Sequence, residues 1–190
     1  MRPDRCRRYR MEEFLKNLWR YSHRQIQHIP DEYLIGVVFV VIIGIIVSFS
    51  WKGVKTGLRY SSGLTLTGYI FLIFCSTVFL RKVGKIQRYD FHPFWSYDKP
   101  ALLVENIMNV VVLIPVGLLI GVAFKRMTWW KALLIGCGIS VTIETLQFFF
   151  MRGFSELDDV MHNSLGCAIG FLIVAIIKGI WLLQKRYWMS

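Results

Sequence analysis

The chain has 190 residues, of which 55% are hydrophobic and only 18% are charged, yet its formal net charge is +11. Soluble domains average about 45–50% apolar and about 25% charged residues, and disordered chains have low hydrophobicity, so the composition excludes disorder and disfavours an ordinary soluble domain. The composition instead indicates a small polytopic membrane protein. Because lipid offers the backbone no hydrogen-bond partners, its spans should be helices, and the predicted fold is an all-α bundle.

Residues 1–33 form a polar segment in which arginine and lysine outnumber the acidic residues. This segment lacks the apolar core of a signal peptide. Its apolar residues, among them Leu15, Leu18 and Trp19, fall near helical spacing. The pattern is compatible with a basic amphipathic helix lying on anionic headgroups, and equally with a solvated cytoplasmic tail.

Five apolar segments follow, each close to the roughly 20 residues that a membrane-spanning helix needs. Glu144 is the only acidic residue within them, and Lys178 lies near the end of its segment, where it can snorkel to the interface. The counts of lysine and arginine near the spans are almost equal on the two sides, so the positive-inside rule leaves the orientation open. The segments run from about 34–51, 64–80, 107–124, 129–150 and 165–183.

Polar residues gather where the predicted helices should meet one face of the membrane. Ser140, Glu144 and Gln147 fall on one stripe of the fourth segment. In an up-down bundle, the end of that segment shares a face with the starts of the third and fifth segments and with the loop before the third. The residues predicted to form a polar or ligand site there are Arg88, His92, Asn109, Glu144, Gln147, Arg152, Asp158, Asp159 and Asn163.

Glu144 is the most informative residue of this set, because it is an acidic residue within a predicted membrane span. A charged carboxylate at the bilayer centre costs about 2.5–3.5 kcal/mol on insertion scales, so Glu144 should face the bundle interior and pair with a cation or be protonated. Arg88 and Arg152 are the candidate partners. Intramembrane carboxylates are usually functional, but an interhelical ion pair that only fixes helix packing is the alternative.

Asp158 and His162 lie one helical turn apart and could contribute to a metal site. Two ligands are too few for such a site, and acidic residues in the first turn of a helix also interact favourably with the helix dipole. The four cysteines form no CxxC pair, which disfavours a zinc site or a disulfide framework. We therefore predict neither a metal nor a cofactor.

Four stretches of the chain, in this order, resemble the motifs of the VanZ family of small bacterial membrane proteins. They are QRYDFHPF at 87–94, ENIMNVVVLIPVGLLIG at 105–121, SVTIETLQ at 140–147 and RGFSELDDVMHNSLGCAIG at 152–170. The match departs from the family at Phe91 and His92, where Asn-Leu is common, and at His162. The resemblance places the family's polar and small positions on Arg88, Pro93, Asn109, Pro115, Gly117, Glu144, Gln147, Arg152, Asp159, Asn163 and Gly166.

The resemblance covers about residues 81–184, which implies a VanZ-like membrane domain there. Residues 34–80 would then add two further transmembrane helices, and 185–190 a short C-terminal tail. The family takes its name from a protein that raises resistance to teicoplanin, a glycopeptide antibiotic. The resemblance therefore implies a cell-envelope role in a multi-pass protein of the cell membrane.

Three functions are compatible with this pattern. The leading one is binding of an anionic, lipid-linked cell-wall precursor or a partner protein, because arginine pairs bidentately with phosphate. The second is a membrane-embedded hydrolase or transferase acting on a lipid, with Glu144 and Asp159 as acid and base. An ion- or proton-coupled transporter is the third. The basic composition fits the lipid bilayer as a partner, and we predict no nucleic-acid binding.

Overall fold

A computed structural model describes residues 12–13, 15–17, 19–20, 23, 29–98 and 100–187. The predicted amphipathic helix of the N-terminal segment lies largely outside these residues. Beyond that segment, the fold consists of four long α-helices, and it confirms the predicted all-α bundle. The helices are α1 (Asp31–Phe74), α2 (Pro100–Ala123), α3 (Trp129–Phe150) and α4 (Leu157–Tyr187).

Helix α1 folds back on itself at Gly53, where the backbone leaves the helical region with φ 70° and ψ 168°. A positive φ is readily adopted by glycine because it lacks a Cβ atom. The Tyr33 and Phe71 rings consequently stack with their centroids 6.3 Å apart, and a Cβ atom on Gly68 would contact the side chain of Val37. The two halves of α1 therefore form an antiparallel helical hairpin, and one π-helical turn, Cys75–Phe79, follows the second half.

Four stretches of the described helices are long and apolar enough to cross a membrane. Trp129–Phe150 coincides with the predicted fourth segment, and the other three stretches overlap the predicted second, third and fifth segments. Residues 34–51, predicted as a further span, are helical and lie in the first half of α1. Their membrane crossing stays a prediction. The four stretches are Thr56–Phe79, Leu102–Ala123, Trp129–Phe150 and Leu157–Lys185.

Helices α2 and α4 run parallel with their backbones in close contact, and each carries a GxxxG pair, Gly117/Gly121 on α2 and Gly166/Gly170 on α4, whose small residues allow this approach. A Cβ atom on Gly166 would collide with the Val110 carbonyl, and one on Gly170 with that of Ile114. Further along, the Lys178 ammonium donates a hydrogen bond to the Gly121 carbonyl oxygen at 2.6 Å. Lys178 therefore bonds to the neighbouring helix, where we had expected it to reach for the interface.

Helix α3 runs antiparallel to α4, since Ser140 contacts Asn163 near one end of the pair and Gly136 packs against Cys167 further along. The ends of α1 and α3 and the starts of α2 and α4 thus lie at one end of the bundle, which we call the motif face. Below it lies the apolar core, formed by Ile73, Val78, Leu113, Val116, Ile120, Ala132, Ile143 and Cys167.

A short parallel β-bridge joins two loops at the motif face. Strand β1 (Tyr89–Asp90) pairs with β2 (Ser155–Glu156), with Tyr89 opposite Ser155 and Asp90 opposite Glu156. The Ser155 N–H also donates to the Arg88 carbonyl at 3.0 Å. No sequence pattern predicted this bridge, which attaches the loop after α1 to the turn between α3 and α4.

Candidate functional site

A cavity of about 500 Å³ opens between the helices at the motif face. Its walls come from the end of α1, from α2, α3 and α4, and from the two bridged loops. We call it the polar cavity, because carboxylates, guanidinium groups and amides share its lining with apolar side chains. Its described ionisable residues are Arg81, Arg88, Glu105, Glu144, Glu156 and Asp159.

Glu144 lies on α3 and is buried, with 6% of its surface exposed. Its Oε2 atom accepts a hydrogen bond from the backbone N–H of Glu156 at 3.0 Å, and the Ser155 side chain hydrogen-bonds to the same carboxylate. The first N–H groups around a helix start lack backbone partners, and negative charge is favourable there. Glu144 therefore stabilises the start of α4. This is a structural role for a carboxylate that lies within a membrane-spanning helix.

The cation that shares the polar cavity with Glu144 on its α1 side is Arg81. A Cβ atom on Gly153, where φ is +155°, would lie 2.9 Å from a terminal nitrogen of Arg81 and 3.0 Å from Oε1 of Gln147. Glycine at this position therefore leaves room for the guanidinium group. The sequence interpretation had not included Arg81, which follows the second apolar segment as one of several basic loop residues.

Arg152 occupies a different place from the one we expected. Its guanidinium group donates hydrogen bonds to the carbonyl oxygen of Val78, at 3.0 Å, and to that of Phe79. Nearby, Nε2 of Gln147 donates to the carbonyl of Thr77 at 3.1 Å. Both side chains satisfy carbonyl groups of the π-helical turn that ends the hairpin, and Arg152 does not pair with Glu144.

Two amides on the helices complete the polar wall. Asn109 donates from Nδ2 to the Asp159 carboxylate at 2.6 Å, which links α2 to α4. Asn163 donates from Nδ2 to the hydroxyl oxygen of Ser140 at 2.8 Å, which links α4 to α3. Asn109, Asp159 and Asn163 all line the polar cavity, as the predicted grouping requires.

Asp158 is completely buried and points to the loop before α2, not into the polar cavity. Its carboxylate accepts hydrogen bonds from the N–H of Phe94 at 2.7 Å, from the N–H of Ser96 at 3.1 Å and from the Ser96 hydroxyl. Asn106 on α2 donates to the same hydroxyl oxygen at 2.9 Å. Asp158 thereby fixes the loop on both sides of Trp95, a residue of the cavity lining.

Neither His92 nor His162 lines the polar cavity. The His162 ring contacts the Asp158 carbonyl through Nδ1 at 2.6 Å and the Tyr97 hydroxyl through Nε2 at 2.9 Å. His92 has a side chain that is 90% exposed, with Nδ1 lying 2.9 Å from the Asp90 carboxylate. Within the described part of the chain, no group of three or more His, Cys, Asp or Glu residues could hold a metal ion.

Three cysteines, Cys75, Cys137 and Cys167, are free thiols. Cys75 and Cys167 are buried, and Cys137 is half-buried. Cys6 lies outside the described residues. These thiols occupy the apolar parts of the helices as small hydrophobic side chains do.

Glu156 faces the polar cavity and is 6% exposed. Burial raises the pKa of its carboxyl most, and the charges of Glu105 and Glu144 raise it as well. Together they bring this pKa from 4.5 to about 7. The sequence interpretation also missed Glu105, because the predicted third segment began at residue 107. Its position one helical turn before Asn109 was the available signal.

Arg88 lies at the rim of the polar cavity beside two aromatic rings. Its guanidinium carbon is 5.2 Å from the centroid of the Phe154 ring, and Phe154 meets Trp95 edge to face with centroids 5.5 Å apart. A cation over an aromatic face is held electrostatically. These aromatic contacts therefore limit the motion of Arg88, which belongs to the lining of the cavity.

These features define an integral membrane helical bundle with a polar, carboxylate-rich cavity at one end. Residues 33–178 match the VanZ/LLP1 family, and the chain belongs to that family. The matched region includes nearly all of the hairpin of α1, and it covers residues 81–178 of the 81–184 region whose motifs carried the resemblance.

One curated relative is Protein VanZ of Enterococcus faecium. It is 33% identical over 72 residues, which make up 38% of this chain and 45% of the relative. The chain thus aligns with less than half of the length of that protein. No solved structure matches the chain.

Proposed function

We propose that this VanZ-family protein is a multi-pass protein of the cell membrane that binds an anionic, lipid-linked component of the cell envelope in the polar cavity. The presence of Arg81 and Arg88 in one cavity at the motif face carries this proposal. Guanidinium groups stay charged and bind phosphate oxygens bidentately. The volume of about 500 Å³ also falls within the roughly 300–1,000 Å³ typical of ligand pockets.

Two observations support an envelope role that lowers susceptibility to teicoplanin-type glycopeptides. The chain belongs to the VanZ/LLP1 family, and it is similar to part of Protein VanZ of Enterococcus faecium. Of the 18 described residues that line the polar cavity, 12 come from the four motif stretches, and Arg81 is among the six that do not. In this proposal, sequestering or masking an envelope lipid reduces the effect of the antibiotic.

Expression in a teicoplanin-susceptible Gram-positive host tests the proposal. The wild type should raise the inhibitory concentration of teicoplanin, and the double variant Arg81→Gln/Arg88→Gln should lose most of that gain at equal membrane abundance. Arg126→Gln is the matched control, because Arg126 is exposed in the loop at the opposite end of the bundle and should keep the gain. Equal inhibitory concentrations for wild type and empty vector would contradict the envelope role.

A membrane-embedded hydrolase acting on a lipid phosphate ester is the second candidate. One observation favours it: the Glu156 carboxyl has a pKa of about 7, and proton transfer is most efficient when the catalytic pKa lies near the working pH. Glu144 and Asp159 line the same cavity. Incubation of the purified protein with a labelled lipid diphosphate tests this candidate, which predicts turnover that Glu156→Gln abolishes. Absence of turnover contradicts it.

A further inference from the structure

The end of the bundle opposite the motif face is basic. The turn at Gly53, the loop between α2 and α3 and the end of α4 lie there, because the other helix ends are at the motif face. Residues 33–89, 106–143 and 160–190 include these three parts of the chain and contain no aspartate or glutamate. Their lysine and arginine residues therefore have no acidic neighbours in sequence, which favours anionic partners at this end.

A cavity of about 670 Å³ lies at this end, between the second half of α1 and the end of α2. Arg59 of α1 and Lys125 of the loop after α2 belong to its described lining, which includes no carboxyl group. We call it the basic cavity. A phosphate diester would meet two positive charges there, whereas the ammonium group of a zwitterionic headgroup would find no carboxylate in the lining. The lining therefore favours a headgroup with net negative charge.

An apolar groove of about 580 Å³ adjoins the basic cavity and lies between the two halves of α1. Leu64 and Thr67 line both spaces, so the groove begins where the basic cavity ends. Its other walls are mainly apolar side chains, among them Val41 and Phe71. Glu32, which also lines it, lies near the start of α1 and thus at the motif-face end, away from the basic cavity. We call this space the hairpin groove.

The two spaces have the dimensions of a lipid chain joined to a headgroup. Arg59 and Phe71 lie twelve residues apart on one helix, which corresponds to about 18 Å along its axis. One leaflet of a bilayer has a hydrocarbon thickness of about 15 Å, half of the total. Gly36 in the hairpin groove and Gly63 in the basic cavity leave open space, since no atom lies within 4 Å of a Cβ atom built on either. An acyl chain therefore fits there without displacing protein atoms.

We propose that the basic cavity and the hairpin groove together bind an anionic phospholipid. Its phosphate accepts hydrogen bonds from Arg59 and Lys125, and one acyl chain lies in the hairpin groove. This site is separate from the polar cavity and goes beyond the proposed function. Because the phosphate bridges α1 and the loop after α2, the bound lipid also stabilises the contact between them.

Phosphatidylglycerol is the probe for the experiment. The full chain carrying Arg81→Gln/Arg88→Gln is purified in detergent, so that the arginines of the polar cavity contribute nothing. It is titrated with short-chain phosphatidylglycerol, with phosphatidylcholine of the same chains, and with glycerol phosphate. Phosphatidylglycerol should bind at least tenfold more tightly than either of the others and should raise the melting temperature. Equal affinity for the two lipids overturns the inference, and equal affinity for glycerol phosphate excludes a lipid as the specific ligand.

Charge variants in the same background test the headgroup contacts. Arg59→Gln/Lys125→Gln should weaken phosphatidylglycerol binding at least tenfold and leave phosphatidylcholine binding unchanged. Arg126→Gln is the matched control, because Arg126 is exposed beside Lys125 but does not line the basic cavity. It should reduce binding less than twofold. Equal weakening by Lys125→Gln and Arg126→Gln would mean diffuse attraction to a charged surface and would overturn a defined site.

A larger side chain in the hairpin groove tests the acyl-chain contact. Gly36→Phe should fill part of the groove and weaken phosphatidylglycerol binding about tenfold, and Gly63→Leu should do the same in the basic cavity. Gly138→Phe is the matched control, since Gly138 also has open space but lies on α3, outside both spaces. Melting temperatures check that each variant is folded. Unchanged binding in folded Gly36→Phe and Gly63→Leu would contradict the proposal, whatever the outcome of the teicoplanin experiment.

Discussion

The Oε2 atom of Glu144 lies 3.0 Å from the backbone nitrogen of Glu156 and accepts its hydrogen bond. This contact ties the end of α3 to the start of α4 and brings two carboxyl side chains into one cavity. It also explains how a carboxylate is tolerated within a membrane-spanning helix, since the N–H groups at a helix start supply partial positive charge. The same residue thus supports the fold and lines the candidate site.

Replacing Glu144 tests its role in stabilising the fold. Glu144→Ala should destabilise the protein by about 1–3 kcal/mol, because a buried N–H loses its acceptor. Glu144→Gln keeps an oxygen acceptor and should cost less. Melting temperatures of the detergent-purified protein measure the effect, at about 2–4 °C per kcal/mol for a chain of this size. Thr145→Ala, at the exposed neighbouring position, is the control, and an equal shift in Thr145→Ala and Glu144→Ala would contradict the capping role.

Removing Asp158 should release the loop before α2. Its carboxylate holds the N–H groups of Phe94 and Ser96, so Asp158→Ala leaves both amides without their acceptor. Their hydrogen exchange should accelerate at least tenfold, which corresponds to about 1.4 kcal/mol of lost protection. Mass spectrometry of peptides spanning 91–98 measures the exchange. Unchanged exchange in Asp158→Ala would show that other contacts hold the loop, and Asp31→Asn should leave the loop protected.

Glycines at the contact between α2 and α4 should tolerate no larger side chain. Gly166→Ala should lower the melting temperature strongly or prevent recovery of a monodisperse protein, because the new Cβ atom would collide with the Val110 carbonyl. Gly138→Ala is the matched control, since no atom lies within 4 Å of a Cβ atom built there. Alanine has the higher helix propensity, so Gly138→Ala should be neutral or slightly stabilising. Similar stability of the two variants would contradict the close approach of the helices.

Glu156 should make stability depend on pH. The pKa of its carboxyl is about 7 in the folded protein and 4.5 ordinarily, so the folded state binds the proton more tightly. Its contribution to stability is fully present below about 4.5 and is lost as the pH rises through about 7. The melting temperature of the wild type should therefore fall from pH 5 to pH 8 more steeply than that of Glu156→Gln. Parallel profiles for the two proteins would exclude this effect.

Much of the architecture follows from local sequence. The predicted segment 129–150 coincides with α3, and Glu144 and Gln147 face the interior because helical spacing puts them on one stripe. The grouping of Asn109, Asp159 and Asn163 at one face follows from chain direction alone, since alternating helices return their ends to the same side. The GxxxG pairs likewise indicated close helix packing, and the structure places them at the contact between α2 and α4.

Other parts of the site depend on contacts between distant residues. Arg152 and Arg81 are both basic residues beside apolar segments, and no local pattern shows that the first binds the carbonyl groups of Val78 and Phe79 while the second lines the polar cavity. Asp158 and Asp159 are adjacent on one helix, yet one points to a loop and the other into the polar cavity.

The amino-acid sequence was enough to identify a membrane helix bundle of the VanZ type with its polar residues at one face. Composition, helical period and motif order are local properties. Because lipid offers the backbone no hydrogen-bond partners, the membrane-spanning segments must be helical. Which of those polar side chains meet in the polar cavity became clear from the three-dimensional contacts. Hydrogen bonding and burial at the ends of four helices depend on the β-bridge and on helix contacts, and these join residues far apart in the chain.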